Sequence, residues 1–68
     1  MIWSAIRSAM EREKIKSIKM LATLTGINES TLQHTRRQKP ETFILYEILQ
    51  LDKILHFTDL EWQMIRTA

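Results

Sequence analysis

The 68-residue chain contains one glycine, Gly26, and one proline, Pro40. Hairpins and long loops rely on these two residue types to change direction, so the chain has little room for β-structure. Cysteine is absent, and neither disulfides nor thiolate metal sites can hold a small core together. We therefore expect a compact all-α fold, and the length allows a single domain spanning residues 1–68.

The spacing of apolar residues predicts five helices. Helix 1 covers about residues 2–14; its inward residues are Ile2, Ile6, Ala9 and Met10, with Trp3 beside them as a core or interface residue and Arg12 on the solvent side. Helix 4 covers about residues 40–55 and is apolar nearly all round, as the most buried helix of a domain usually is. Its apolar residues are Phe43, Ile44, Ile48, Leu51, Ile54 and Leu55.

Helix 5, about residues 58–66, has the clearest start. Thr58 and Glu61 stand at the two positions of a capping box, and Phe57 and Trp62 at those of a hydrophobic staple. His56 lies where the chain leaves helix 4, a position usually given to glycine or asparagine.

Residues 17–37 predict two short helices joined by a tight turn. Ser17 is the expected N-cap of helix 2, whose apolar stripe is Ile18, Leu21, Ala22 and Leu24. Gly26 ends this helix, and Asn28 caps helix 3. Ile27 in the turn and Leu32 in helix 3 face the core. This is the spacing of a helix-turn-helix, whose second helix can enter the DNA major groove.

Charge is unevenly distributed along the chain. Residues 14–39 hold six basic residues and one acidic residue, a net charge of +5. Residues 40–68 hold two basic and five acidic residues, a net charge of −3, and residues 1–13 balance. A basic region beside an acidic one suits a polyanion bound in one orientation, although a solvated lysine-rich surface has the same composition.

The order of Ala22, Gly26, Ile27, Asn28, Leu32 and Lys39-Pro40 resembles the lambda-repressor/Cro-like helix-turn-helix family of phage and bacterial regulators. Residues 48–58 are similar to the family's fourth helix and its exit, and the resemblance covers roughly residues 2–65. It implies a five-helix lambda-repressor-like domain with the helix-turn-helix at helices 2 and 3. It also implies a transcriptional regulator that binds operator DNA as a dimer in the cytoplasm of a bacterial host cell.

The resemblance further implies a set of DNA contacts. The expected base contacts are Glu29, Ser30, Gln33, His34 and Arg37. The expected phosphate contacts are Lys16, Ser17, Lys19, Arg36 and Lys39. An amide such as Gln33 can bind adenine bidentately and a guanidinium such as Arg37 can bind guanine, whereas phosphate contacts fix register without specifying sequence.

The chain departs from the family pattern in three places. Helix 3 usually ends in Glu, a polar residue and Gly, where this chain has Arg36, Arg37 and Gln38. Glu29 places a carboxylate at the tip of helix 3, where it repels phosphate unless it accepts from cytosine. Ile18 replaces a glutamine that commonly binds the DNA backbone. Glu29 and Ile18 favour an alternative function, a modulator or antirepressor that keeps the fold and binds a partner repressor.

An apolar surface on helix 5 serves either hypothesis, as a homodimer face or as the face for a partner repressor. Its expected residues are Phe57, Trp62, Met64 and Ile65. His34 and His56 lie in different elements without a third ligand, so we expect no metal. We also expect no enzyme activity, cofactor or small-molecule substrate, and no membrane span, because no apolar run approaches about 20 residues.

Overall fold

Five helices account for most of residues 1–66, the part of the chain that the computed structural model describes. They are α1 (Ile2–Arg12), α2 (Ile18–Thr25), α3 (residues 29–38), α4 (Leu45–Leu55) and α5 (Asp59–Arg66), with a short 3₁₀ turn at Pro40–Thr42. The central part of α3, Thr31–Arg36, forms wide π-type turns. Residues 1–66 contain no strand, and the prediction of an all-α fold with five helices is confirmed.

Helix α1 contributes more buried residues than any other helix. Its buried residues are Ile2, Trp3, Ala5, Ile6 and Ala9. This helix packs against α5 and α4, and its alanines allow close approach. The prediction that the fourth helix is the most buried is wrong, because α4 buries only Glu47, Leu51 and Leu55.

Helix α1 ends two residues earlier than predicted. Lys14 adopts a left-handed conformation with φ 59°, which stops the helix. The Ile15 N–H donates to the Met10 carbonyl at 2.9 Å, and the Lys14 N–H donates to the Glu11 carbonyl at 3.2 Å. These are the two hydrogen bonds of a Schellman motif, and they turn Ile15 into the core.

The turn between α2 and α3 forms as predicted. The Ser17 hydroxyl accepts the Met20 N–H at 3.1 Å, and the Asn28 side chain accepts the Thr31 N–H at 3.1 Å. Gly26 has φ 78°, and a Cβ built there would meet nothing within 4 Å. Glycine is therefore required at this position by backbone conformation and not by lack of space.

One residue of the predicted apolar stripe of α2 faces solvent. Leu24 is 47% exposed, whereas Thr25 is buried. The Thr25 hydroxyl donates to the Leu21 carbonyl at 2.8 Å, so it can be buried with its hydrogen bond made. The buried face of α2 thus keeps Leu21 and Ala22 as predicted and ends at Thr25 in place of Leu24.

Helix α4 begins at Leu45, about five residues later than predicted. Phe43 and Ile44 are extended, with ψ 132° and 158°, and separate the Pro40–Thr42 turn from the helix. The Glu47 carboxylate accepts the Ile44 N–H at 3.1 Å and thereby caps the new start. Ile44, expected in the core, is 55% exposed because it lies outside the helix.

The predicted start of α5 is confirmed in detail. The Thr58 N–H donates to the Glu61 carboxylate at 3.0 Å, and the Glu61 N–H donates to the Thr58 hydroxyl at 3.2 Å. The rings of Phe57 and Trp62 meet edge to face with centroids 5.4 Å apart. His56 ends α4 with φ 52°.

Arg12, predicted to face solvent, joins three helices. Its guanidinium donates to the Glu61 carboxylate at 2.7 Å, to the Leu55 carbonyl at 2.8 Å and to the His56 carbonyl at 3.0 Å. The last carbonyls of α4 lack helical partners, and Arg12 satisfies two of them. None of the helices within residues 1–66 is long and apolar enough to cross a bilayer.

Candidate nucleic-acid interface

The candidate interface is centred on the exposed side of α3. All five expected base contacts are exposed: Glu29, Ser30, Gln33, His34 and Arg37. Leu32 is fully buried and fixes the opposite side of the helix to the core. Helix α3 packs against α2, and the Asn28 cap fixes where it begins. The arrangement presents a polar helical surface with donors and acceptors available to a partner.

The π-type turns at Thr31–Arg36 change the geometry of this surface. Each π turn contains one more residue than an α turn, so residues four apart, such as Gln33 and Arg37, are not aligned as in a regular α-helix. Regular α geometry was expected for this helix. Wide turns of this kind are rare and are found frequently at functional sites.

Arg36 was expected to bind phosphate, but the structure gives it an internal role. Its Nε and Nη2 donate to the two carboxylate oxygens of Glu47 at 2.9 and 3.1 Å. Its Nη1 donates to the Thr42 hydroxyl at 3.1 Å. Glu47 is buried, and a bidentate pair of this kind satisfies both charges. We therefore remove Arg36 from the candidate phosphate contacts.

Trp3 fixes the end of α3, which the sequence analysis missed. Its indole N–H donates to the Arg36 carbonyl at 2.9 Å. The guanidinium carbon of Arg37 lies 5.5 Å from the centre of the Trp3 ring, within cation–π range. Pro40 was the available signal in the sequence. In an α-helix the Arg36 carbonyl would accept from the N–H of residue 40, and proline has none, so this carbonyl needs another donor.

The remaining phosphate candidates lie at the two ends of the α2–α3 unit. Lys16, Ser17 and Lys19 surround the start of α2, and Lys39 follows α3; all four are exposed. Within residues 1–66 these lysines take part in no salt bridge, so their charge is not neutralised by a neighbouring carboxylate. The Ser17 hydroxyl accepts from Met20 but can still donate outward.

The expected interface on α5 is only partly exposed. Phe57 is 8% exposed and belongs to the core, so its assignment to an interface is wrong. Trp62, Met64 and Ile65 are partly buried and pack against that core. The small domain shields these side chains because α1 lies directly against α5.

A different apolar surface lies at the start of α4. Leu45 and Tyr46 are 68% and 67% exposed, and Ile44 and Leu49 are also exposed. We call these four residues the α4 patch. The patch was not predicted, because this helix was expected in the core. The spacing of Leu45 and Leu49, four residues apart on one face, was the available signal.

The Arg12–Glu61 pair shifts the pKa of both its members. The Arg12 hydrogen bond outweighs burial and lowers the pKa of Glu61 to about 2. The same pairing raises the pKa of Arg12 above its usual value. This pair joins α1 to α5, and neither residue is one of the candidate DNA contacts.

Comparison with known proteins identifies no relative. The chain matches no family model, no curated protein and no solved structure.

Proposed function

We propose that this protein is a phage or bacterial transcriptional regulator that binds operator DNA by inserting α3 into the major groove. The observation that carries the proposal is the α2–Gly26–α3 unit, whose outward residues on α3 are polar and exposed. A buried Leu32 on the opposite side gives that helix a rigid support. The α2–Gly26–α3 unit resembles the helix-turn-helix of the lambda-repressor/Cro-like family.

The proposed base contacts are the exposed side chains of α3. Gln33 offers an amide for adenine, and Ser30 and His34 offer hydrogen-bonding groups of either kind. Glu29 selects cytosine, because a carboxylate near DNA is tolerated where it accepts from the cytosine amino group. Arg37 reaches guanine from its position over Trp3.

The proposed phosphate contacts are Lys16, Ser17, Lys19 and Lys39. Unpaired lysines at both ends of the α2–α3 unit can meet the backbone on either side of a groove. The acidic carboxyl-terminal part of the chain disfavours other orientations. The protein acts in the cytoplasm or nucleoid of a bacterial cell under this proposal.

A two-fold dimer would present two copies of α3 at a spacing of about 34 Å, one helical turn of DNA. The α4 patch supports such a dimer, since monomers rarely leave clustered large apolar side chains in water. Leu45→Glu should then make the protein monomeric in sedimentation, whereas Leu60→Glu, at an equally exposed leucine on α5, should not.

The test of DNA binding is a titration of operator-region DNA at several salt concentrations. The logarithm of the affinity should fall with the logarithm of salt, by about 0.9 per phosphate contacted. Lys19→Ala should reduce that slope by about one, and Lys53→Ala, on the outer face of α4, should leave it unchanged. Affinity independent of salt would refute the proposal.

A second function keeps this fold without DNA binding. The protein would then be a modulator or antirepressor whose α4 patch binds a partner repressor. The exposure of that patch and the repulsive Glu29 favour it. Under this hypothesis the isolated protein shifts no operator DNA, and Leu45→Glu abolishes co-purification with a repressor while Gln33→Ala does not.

A further inference from the structure

We propose that Trp3 is a positioning residue for DNA sequence recognition, acting through the end of α3 without touching DNA. This inference rests on the function proposed above. It assigns to α1, outside the helix-turn-helix, control over the geometry of Arg37. Three features support this role: an unsatisfied carbonyl, a stacked cation and a rigid support.

The first part concerns the carbonyl of Arg36. In a helix this oxygen would accept from the residue four positions later, which is Pro40 and has no N–H. The Trp3 indole supplies the missing donor at 2.9 Å. The α3 backbone is therefore held at its last turn by a side chain 33 residues earlier in the chain.

The second part concerns the side chain of Arg37. Its guanidinium lies over the face of the same indole, 5.5 Å from the ring centre. An exposed arginine is otherwise free to sample many rotamers, and ordering it on binding costs conformational entropy. Stacking on Trp3 restricts these rotamers before DNA arrives, so that less ordering remains for the complex.

The third part concerns the rigidity of Trp3 itself. It is 8% exposed and belongs to α1, the helix with the most buried residues. The Phe43 ring, 5.8 Å away, packs against it beside the segment that leads into α4. Trp3 cannot reach a DNA groove from the core, so any effect on base recognition must pass through α3.

Helix α3 is also held in position by α4. Arg36 is anchored on Glu47 of α4 by two hydrogen bonds, which leaves the two adjacent arginines with different tasks. Arg36 connects α3 to the core, and Arg37 remains available to a partner. Trp3 contacts both of them, the backbone of the first and the side chain of the second.

The experiment compares Trp3→Phe and Trp3→Leu with Trp62→Phe, a matched loss of an indole on α5. Trp3→Phe removes the N–H and keeps an aromatic face, whereas Trp3→Leu removes both. Each variant is checked for folding by circular dichroism and then titrated with operator-region and unrelated DNA. The measured quantity is the ratio of the affinity for operator-region DNA to the affinity for unrelated DNA. Counterion release contributes to both affinities and therefore cancels in the ratio.

We expect Trp3→Phe to lower that ratio by about threefold and Trp3→Leu by about tenfold, which corresponds to 1.4 kcal/mol. Trp62→Phe should leave it unchanged. In an Arg37→Ala background Trp3→Phe should have the same effect as Trp3→Leu, because the cation that the ring holds is gone. Equal effects of Trp3→Leu and Trp62→Phe on the ratio would overturn the proposal.

A DNA-independent measurement separates this inference from the proposed function. In the wild-type protein the Arg37 side-chain protons should be shifted upfield by the Trp3 ring current, and Trp3→Leu should abolish that shift. Trp3→Phe should accelerate amide exchange at residues 37–39. If the wild-type protein binds no DNA, the proposed function fails and recognition through Trp3 fails with it. If DNA binds but exchange and shifts are unchanged in the variants, only the positioning role fails.

Discussion

Glu61→Gln keeps the shape of a buried side chain and removes its charge. Glutamine at this position can still accept the Thr58 N–H and complete the capping box. It cannot make the charge-assisted bond to Arg12, whose Nη1 lies 2.7 Å from the Glu61 carboxylate. The Arg12 hydrogen bond is the largest cause of the fall in the pKa of Glu61 to about 2, and the hydrogen bonds from Thr58 and Ser8 add to it, so the variant tests chiefly this pair.

The expected cost follows from that pKa. The difference between 4.5 and about 2 corresponds to about 3 kcal/mol of folding free energy. The Arg12 side chain is 36% exposed, and screening by solvent reduces the contribution to about 2 kcal/mol at pH 7. Domains of this size have a total stability of about 3–10 kcal/mol. The melting temperature should therefore fall by about 8–16 °C.

The pH dependence has a definite sign. Folding lowers the pKa of Glu61, so the unfolded chain binds the proton more readily than the folded one. The stabilisation is complete above about pH 5.5 and is lost as the pH falls through the unfolded value toward about 2. The difference between wild type and Glu61→Gln should be constant near neutrality and approach zero in strong acid.

The assay is urea unfolding followed by far-ultraviolet circular dichroism at a series of pH values. Glu11→Gln is the control, because it makes the same change in net charge at an exposed residue of α1. It should alter the free energy of unfolding by less than about 0.5 kcal/mol. A Glu61→Gln effect that matches this control, or that persists unchanged in strong acid, would refute the reasoning.

Three further substitutions test the packing and backbone. His56 adopts a left-handed conformation with φ 52°, which glycine adopts without strain. His56→Gly should therefore stabilise the protein by about 1 kcal/mol in thermal unfolding, and a lower melting temperature would contradict this. Arg36→Ala leaves the buried Glu47 carboxylate without its partner and should lower the free energy of unfolding by about 3 kcal/mol in chemical denaturation. Lys39→Ala, at an exposed residue, should lower it by less than about 0.5 kcal/mol, and equal losses would contradict the prediction. Leu51→Ala, at a fully buried position, should lower the free energy of unfolding by about 3–5 kcal/mol. An equal loss in Leu49→Ala, at an exposed position of the same helix, would contradict this prediction.

Features with nearby partners could be predicted from the sequence. The caps at Ser17, Asn28 and Thr58 bond to backbone groups three residues away. Short-range geometry of this kind follows from residue type and helix position alone. The positive φ at Gly26 and His56 was predictable for the same reason, since a helix that stops and turns needs a left-handed residue.

Long-range pairs could not be predicted in this way. Periodicity indicates that Arg12 and Arg36 lie outside the apolar stripe, but it does not indicate which distant group each one meets. Arg12 pairs with Glu61 across 49 positions, and Trp3 meets Arg36 across 33. Both glutamates that receive an arginine stand at the third position of a helix, where each also caps the helix start.

The division between core and surface was the weakest part of the prediction. The chain has more large apolar residues at helical spacing than so small a domain can enclose. Phe57 was assigned to the surface and is buried, whereas Ile44 and Leu24 were assigned to the core and are exposed. The five expected base contacts on α3 are all exposed, and their role in binding DNA stays a prediction.

The packing of α1 against α5 has a consequence for how the chain folds during synthesis. Helix α1 is translated before the other four helices, and its last residue, Arg12, precedes its partner Glu61 by 49 residues. At about 5–20 residues per second this interval lasts on the order of 2–10 s. During that time the apolar stripe of α1 lacks its main partner, α5. The α2–α3 unit between them gains its support only after translation has passed it.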